Sequence, residues 1–172
     1  MSVKVRPAEE PDYQDIYKIN REAFGGYNEA MLVANLRSTN NFIPGLSLVA
    51  EIEGQVVGYI LFSRVLLETQ DGELPILALA PLAVIPKHQN QGVGTALVKQ
   101  GLKVCLQYGE KVVVVLGHAD FYPRFGFTQA CSKGVQAPFP VPDNTYMLIE
   151  LTPDVLKDIS GTVIYPPIFD GV

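Results

Sequence analysis

The sequence has few cysteines and no long apolar run, and both shortages exclude classes of protein. Its 172 residues include two cysteines, Cys105 and Cys131, and no Cys-x-x-Cys pair, which argues against a disulfide scaffold and against a zinc site. No stretch of about 18 consecutive apolar residues occurs, so we expect no membrane-spanning helix. Residues 1–7 lack the apolar segment of a secretory signal. We therefore expect a protein of the reducing cytoplasm that needs no metal.

Positive charge is also scarce. Lysine and arginine number 13 against 18 acidic residues, which gives a formal net charge of −5 at pH 7. A nucleic-acid-binding domain normally carries a basic face, so we expect no nucleic-acid partner. The charge balance does not exclude a small anionic ligand, because a helix N-terminus binds phosphate through uncharged backbone amides.

The remaining composition is that of an ordered chain. Hydrophobic residues make up 48% of the sequence and charged residues 18%, a ratio that argues against disorder. The length fits a single domain, 1–172. A chain of this size buries roughly 70% of its unfolded surface, which is enough to fold without disulfide bonds or a structural metal.

Apolar periodicity and turn residues predict a mixed α/β (α+β) fold. Gly54 separates two runs rich in β-formers, which is typical of a hairpin. Pro81 cannot donate a ladder hydrogen bond, so we expect a bulge or a splayed strand around it. The predicted strands are 3–6, 47–53, 55–67, 74–84, 112–116 and 146–151, and the predicted helices are 9–24, one capped by Asn28, 92–108 and a short one at 121–125.

The segment 82–97 carries the strongest chemical signal. A strand runs through a polar loop into Gly92-Val93-Gly94 at the start of a helix, and glycine lets a ligand approach the backbone closely. The first-turn amides, around Gly92 to Ala96, have no partner within the helix, so we expect them to bind a diphosphate. A Gly-x-Gly pair alone also fits an ordinary turn. Leu97 excludes the dinucleotide fingerprint, and the absence of Gly-Lys-Ser/Thr excludes a P-loop.

Two motifs in this order resemble one enzyme family. Gln89-Asn-Gln-Gly-Val-Gly94 is similar to the acetyl-CoA signature of the GNAT N-acetyltransferases, Arg/Gln-x-x-Gly-x-Gly/Ala, and Phe121-Tyr-Pro-Arg-Phe-Gly-Phe127 resembles that family's Tyr-x-x-x-Gly-Phe segment. The resemblance covers a core of residues 3–151. Part of the tail, 161–169, resembles that of a bacterial subgroup of predicted acetyltransferases, and we expect the tail 152–172 to pack on the core or on a partner subunit.

The resemblance implies the acyl-CoA N-acyltransferase fold, a mixed and mostly antiparallel sheet with a splayed parallel strand pair flanked by helices. It also implies acetyl-CoA as the acyl donor. In this family the pyrophosphate lies on the amides of the signature loop, and the pantetheine arm pairs with the splayed strand. Carried over to this sequence, the cofactor-binding residues are Leu82, Ala83, Val84, Gln89, Asn90, Gln91, Gly92, Val93, Gly94, Thr95 and Ala96.

The catalytic residue that the resemblance implies is Tyr122. It matches the family tyrosine that protonates the departing CoA thiolate, although the residues around it also fit a purely structural aromatic cluster. The general base stays open between His118, which also fits a structural role, and water. The segment Gly117-His-Ala-Asp120 lacks the Asn that the family often carries before its tyrosine, so the resemblance assigns no pantetheine contact to this segment.

The acceptor is the least determined part of the expected reaction. The resemblance implies direct attack by a small-molecule or peptide amine in a ternary complex, with the acceptor pocket near 24–27, a segment that also fits an ordinary turn. Lys87, His88 and Arg124 fit either the cofactor phosphates or solvated surface. A non-catalytic acyl-CoA-binding sensor or regulatory module is the alternative function. A homodimer is also left open.

Overall fold

The computed structural model describes residues 2–170 and 172. Nine strands form one sheet in that part of the chain, in the order β1-β2-β3-β4-β5-β8-β6, with β9 beside β3 and β7 beside β9. In chain order the elements are β1 Lys4–Pro7, α1 Tyr13–Phe24, α2 Asn28–Leu36, β2 Phe42–Ile52, β3 Gln55–Thr69, β4 Gly72–Val84, α3 Val93–Gln107, β5 Val112–Leu116, β6 Thr128–Gln129, β7 Val135–Gln136, β8 Tyr146–Glu150 and β9 Gly161–Ile164.

The predicted mixed fold is confirmed. The main path of the sheet is antiparallel except where β4 pairs with β5, and β7 with β9 is a second parallel pair. The long elements α1, β3, β4, α3, β5 and β8 lie within a few residues of their predicted bounds. β6 and β7 were not predicted, because two-residue strands carry no periodicity.

Two local predictions were wrong by a few residues. β2 begins at Phe42 rather than at residue 47, since the strand continues past Pro44 and Gly45 through a shift in register. Asn28 was expected to cap α2, but it is the first helical residue and Tyr27 lies at the N-cap position. Neither difference moves the residues of the expected site.

Apolar side chains cover both faces of the sheet. On one face α3 packs Leu97 and Cys105 against the β3 residue Phe62, all of them 0% exposed. On the other face Ile16 of α1 packs with Tyr59 of β3. Burial of one such side chain stabilises the fold by about 1.5–3 kcal/mol. Cys105 is therefore a core residue, as predicted, and burial raises the pKa of its thiol to about 12.

The irregularity expected near Pro81 is present in β4. Ile60 of β3 pairs with Leu82, and Phe62 pairs with Leu79. Two residues of β4, Ala80 and Pro81, therefore face the single residue between Ile60 and Phe62. This arrangement is a β-bulge, which suits a proline because its nitrogen cannot donate to the ladder.

The parallel pair β4 and β5 is very short. Leu77 pairs with Val113 and Ala78 with Val114, and the pairing then ends. β4 continues to Val84 while still paired with β3 on its other side. The two strands consequently diverge beyond the second pair, and the edge of β4 that faces β5 is left open.

The C-terminal tail adds a strand to the same sheet. β9 pairs with the far end of β3, from Leu66 opposite Ile164 to Thr69 opposite Gly161. A Cβ at Gly161 would collide with the carbonyl oxygen of Glu68, so this close pairing requires glycine. Val163 is 0% exposed and packs with the buried face of β5. The tail thus lies against the core of its own chain.

An ion-pair network holds β1 against the start of α1. The Arg6 guanidinium donates to both carboxylate oxygens of Asp12, at 2.8 and 3.0 Å, and to Glu51 Oε2 at 3.1 Å. The backbone N–H of Glu9 also donates to Asp12, at 2.8 Å. Hydrogen bonding to Arg6 lowers the pKa of the Asp12 carboxyl below its usual value.

We expect Asp12→Asn to lower the free energy of unfolding by about 2 kcal/mol at neutral pH, because hydrogen bonds to charged groups are lost. The carboxylate stabilises fully above the unfolded pKa of about 3.9, and this contribution disappears as the pH falls through the lower folded pKa. Urea unfolding at pH 7 and at about pH 2.5 checks this expectation.

Asp15→Asn is the matched control for this prediction. Asp15 lies in the first turn of the same helix and is exposed, so its effect should stay below about 1 kcal/mol. A deficit in Asp12→Asn of the same size at both pH values would contradict the assigned role of the carboxylate.

Candidate functional site

A cleft of about 1420 Å³ opens where β4 and β5 diverge. It is bounded by the end of β4, the loop before α3, the segment after β5 and the C-terminal tail. The residues that line it include Ala78–Leu82, Val84, His88–Asn90, Gly92, Gly94, Thr95, Leu116–His118, Phe121, Tyr122 and Arg124, and at the far end Phe24, Glu29, Phe139, Tyr165, Phe169 and Asp170.

The loop before α3 is held in shape by its own glutamines. Gln89 donates from Nε2 to the Val84 carbonyl at 3.0 Å, and Gln91 donates to the Lys87 carbonyl at 3.1 Å. Asn90 and Gly92 have φ values of 62° and 87°, in the left-handed region that glycine and asparagine tolerate best. These bonds and turns fix the point at which α3 begins.

The N-terminus of α3 presents open backbone amides. The first helical hydrogen bond runs from Ala96 N to Gly92 O at 3.0 Å, so the N–H groups of Val93, Gly94 and Thr95 precede it and have no partner within the helix. Ala96 was expected among the open amides, and that expectation was wrong because its N–H closes the first turn.

Most of the expected cofactor-binding residues line the cleft. Gly92, Gly94 and Thr95 line it, as do Leu82 and Val84 of β4 and the loop residues Gln89 and Asn90. The residues that do not line it are Ala83, Gln91, Val93 and Ala96. The strand period explains Ala83, which pairs with Tyr59 and faces the opposite side of the sheet.

The cleft is narrow beside Gly94 and open beside Gly92. A Cβ on Gly94 would lie 3.7 Å from Phe121 Cζ and 4.0 Å from Leu82 Cδ2, whereas a Cβ on Gly92 would meet nothing within 4 Å. Open amides, a positive helix end and free space in front of them fit a diphosphate. The residues present therefore fit the pyrophosphate of CoA.

Tyr122 both packs in the core and reaches the cleft. Its side chain is 6% exposed, and its ring makes edge contacts with Phe121 and Phe127 at centroid distances of 5.0 and 5.5 Å. A Cβ at Gly117 would collide with this ring, so the glycine leaves room for the tyrosine. Both roles considered for Tyr122 from the sequence are therefore compatible with its position.

The hydroxyl of Tyr122 is available to a ligand. Within residues 2–170 and 172 it has no hydrogen-bond partner, and the residue lines the cleft. Burial raises the pKa of Tyr122 to about 12. The hydroxyl is therefore protonated at neutral pH and able to donate a proton.

The charged candidates separate into two groups. His88 and Arg124 line the cleft near the signature loop, and the Arg124 guanidinium lies 4.7 Å from the centre of the Phe121 ring. Lys87 does not line this cleft. His118 is exposed and lines the cleft directly after β5, a position open to substrate and to water.

Sequence reasoning missed the far end of the cleft. Glu29, Phe139, Tyr165, Phe169 and Asp170 line it, but only the tail segment 161–169 carried a signal, and that signal was a resemblance without an assigned role. The expected acceptor segment contributes Phe24, which is 44% exposed. These residues come from four separate parts of the chain, so no local motif links them.

Two kinds of feature are absent from the described residues. No helix among them is long and apolar enough to span a membrane. No group of three or more His, Cys, Asp or Glu side chains among them is arranged to hold a metal ion.

Comparisons with known proteins agree with the geometry of the cleft. Residues 13–127 match the family model described as the acetyltransferase (GNAT) family. The chain is 46% identical over 136 residues to the uncharacterised N-acetyltransferase YjhQ of Escherichia coli K12, covering 77% of this chain and 74% of YjhQ. It is 34% identical over 154 residues to the uncharacterised N-acetyltransferase YhbS of the same strain, covering 90% of each.

Two solved structures resemble this one over nearly its whole length. A crystal structure of YhbS from Escherichia coli in complex with CoA has a TM-score of 0.88 at 33% identity, over 97% of this chain and 91% of that one. A GNAT family acetyltransferase from Brucella melitensis in complex with acetyl-CoA has a TM-score of 0.80 at 29% identity, over 98% and 99%.

The family model covers more than half of this chain, and the alignment with the relatives covers most of each relative's length. The matched residues include the short parallel pair β4 and β5 and the glycine turn into α3, which together border the cleft. This chain belongs to the acetyltransferase (GNAT) family.

Proposed function

We propose that this protein is an acetyl-CoA-dependent N-acetyltransferase that transfers the acetyl group to an amine by direct attack in a ternary complex. The observation that carries the proposal is that the start of α3, with its open amides, and Tyr122 line one cleft, at the point where β4 and β5 diverge. Family membership supports it, as do the related structures from Escherichia coli and Brucella melitensis, which are complexes with CoA and acetyl-CoA.

The signature loop would bind the pyrophosphate. The amides of Val93, Gly94 and Thr95 have no helical partner, and the helix dipole adds about 0.3–1 kcal/mol in favour of an anion there. Charge-assisted hydrogen bonds strengthen the binding further. Arg124 and His88 line the same end of the cleft and are suited to the remaining phosphate charge.

The open edge of β4 would bind the pantetheine arm. The backbone of Leu82, Ala83 and Val84 pairs with β3 on one side and has no strand on the other. The polar groups that face away from β3 can bond to the amides of an extended ligand, as in strand addition, although the Val84 carbonyl already accepts from Gln89. The arm would then lead the thioester into the gap between β4 and β5, towards Tyr122.

Tyr122 is suited to act as the general acid. The amine nitrogen forms a bond to the thioester carbonyl carbon, the carbon–sulfur bond breaks, and the sulfur leaves with the bonding electrons. The Tyr122 hydroxyl donates its proton to that sulfur, and the nitrogen releases its extra proton to water or to His118. Backbone N–H groups near Val84 are suited to polarise the thioester carbonyl.

The structure favours the enzyme over the alternative hypothesis, a non-catalytic acyl-CoA-binding sensor. A sensor needs the cofactor site alone, whereas this cleft continues past Tyr122 to a second end lined by Glu29 and the aromatic residues of the tail. Release of free CoA thiol in the presence of amines, measured with purified protein, separates the two functions.

The wider setting of the reaction is also a proposal. The acceptor would be an amine, either a small molecule or a peptide. The net charge of −5 agrees with a cationic substrate and argues against a nucleic-acid partner. The cysteines at 105 and 131 are free thiols, which agrees with the reducing cytoplasm. The exposed apolar side chains Tyr27 and Met31 leave a homodimer open.

Gly94→Glu tests the phosphate site. We expect it to raise the dissociation constant of CoA by at least about 100-fold, because a carboxylate would enter the narrow space between Phe121 and Leu82 and repel the diphosphate. Isothermal titration calorimetry with CoA measures the change. Gly94→Ala is the matched control, since its Cβ would make only ordinary contacts, and its affinity should stay near that of the wild type.

Unchanged CoA affinity in Gly94→Glu would contradict the loop assignment. Gly94 is preferable to Gly92 for this test because the φ of Gly92 is 87°, and any side chain there strains the backbone. A loss of affinity at Gly92 would therefore not separate altered folding from altered binding.

Tyr122→Phe tests the acid role. We expect kcat to fall about 10²–10⁴-fold, while the ring contacts and the affinity for CoA are retained. Steady-state release of CoA thiol and calorimetry measure the two quantities. Tyr108→Phe is the control, since Tyr108 is 54% exposed and does not line the cleft. A kcat equal to that of the wild type would remove Tyr122 from the reaction.

The pH profile gives a separate test of the same residue. Because the pKa of Tyr122 is about 12, its hydroxyl keeps its proton well above the ordinary tyrosine value of about 10. We expect kcat to rise with pH as the amine loses its proton and not to fall up to about pH 10. If kcat declines below about pH 10 and this decline is absent in Tyr122→Phe, Tyr122 ionises at an ordinary pKa.

A further inference from the structure

The far end of the cleft has a continuous aromatic wall, which we define as Phe139, Tyr165 and Phe169. The ring centroids of Phe139 and Tyr165 lie 5.9 Å apart, and those of Tyr165 and Phe169 lie 5.2 Å apart. All three side chains line the cleft, as does Phe24. Binding of a ligand that covers an apolar surface of this kind is favourable, because it removes the aromatic rings from water.

The central ring of the wall is fixed in place. The hydroxyls of Tyr165 and Tyr146 lie 2.8 Å apart, and Tyr146 is 3% exposed in β8. The ring of Phe139 also contacts Tyr146, at a centroid distance of 6.1 Å. Because the polar atom of Tyr165 is bonded away from the cleft, the wall offers its ring and not its hydroxyl to a ligand.

Charge is sorted along the cleft. Arg124 stacks on Phe121, which lies beside Gly94, and His88 precedes the signature loop, whereas Asp170 follows Phe169 and Glu29 lies on α2, which packs against Pro167–Phe169; all four line the cleft. Glu29 is half-buried on α2, and within the described residues neither it nor Asp170 forms an ion pair. A half-buried carboxylate in the same cleft as exposed aromatic ring faces favours a cationic ligand, which the ring faces also attract.

We propose that the acceptor is a small primary amine with an aromatic or similarly apolar body and no carboxylate beside its nitrogen. The inference rests on the proposed function and specifies its acceptor. The aromatic wall covers the apolar body, while Glu29 and Asp170 make the entrance to that end of the cleft favourable for a cationic amine, whose nitrogen attacks beside Tyr122 once it has lost a proton. An amino acid is disfavoured, because its carboxylate would lie among carboxylates.

A panel of three amines tests the inference with acetyl-CoA and the complete chain. 2-Phenylethylamine carries the apolar body, ethylamine lacks it, and phenylalanine adds a carboxylate to it. We expect kcat/KM for 2-phenylethylamine to exceed that for ethylamine by about 10- to 100-fold, the range expected from burying one aromatic side chain. Phenylalanine should fall below 2-phenylethylamine by at least about 10-fold.

Variants assign each preference to its residues. Phe139→Ala should lower kcat/KM for 2-phenylethylamine about 10-fold and leave ethylamine nearly unchanged. Glu29→Gln should lower kcat/KM for both amines and narrow the gap to phenylalanine. Tyr165→Phe keeps the ring and should keep most of the preference. Leu106→Ala removes a 52% exposed side chain outside the cleft and should change nothing.

The outcomes separate this inference from the proposed function. Equal kcat/KM for ethylamine and 2-phenylethylamine, or a preference that Phe139→Ala leaves intact, would overturn the inference while acetyl transfer stands. Binding of acetyl-CoA without release of CoA with any of the three amines would overturn the inference, and only the same result across a broad panel of amines and peptides would overturn the proposed function and favour the sensor. A higher rate with phenylalanine than with 2-phenylethylamine would overturn the assigned role of the carboxylates.

Discussion

The early separation of β4 and β5 is the constraint on which the site depends. Two residue pairs, Leu77 with Val113 and Ala78 with Val114, are all that join the strands. Beyond them β4 keeps its ladder with β3 through the bulge at Pro81 and loses its partner on the other side. A sheet with complete pairing here would have neither a cleft nor an open edge, so the cleft proposed to bind the cofactor exists because the sheet is incomplete.

Packing against the sheet positions Tyr122, the proposed general acid. The aromatic contacts that bury its ring also raise its pKa to about 12, because a buried phenolate would be poorly solvated. The same contacts therefore position the hydroxyl and keep its proton on it. A tyrosine with stronger solvation would lose that proton more readily and would serve less well as an acid in alkaline conditions.

The site is assembled from distant segments, and only some of these segments could be identified from the sequence. The turn into α3 could be found from Gln89–Gly94, because the open amides proposed to bind the pyrophosphate lie next to one another in the chain and glycine marks the turn. The amide of Ala96 differs from the expectation because it closes the first helical hydrogen bond, and Gln91 and Val93 do not line the cleft. The aromatic wall could not be found, because Phe139, Tyr165 and Phe169 meet only after β9 pairs with β3.

By itself the sequence determined the mixed α/β fold, an irregularity of the strand at Pro81 and the family, because periodicity, proline and the signature loop are local properties. Tertiary structure decided where the strands separate, that Tyr122 is buried beside Gly117, and that the tail reaches the cleft. Those features depend on contacts between residues far apart in the chain. Burial and strand pairing stabilise these features, and a local pattern of residues does not predict which distant residues will pair or pack.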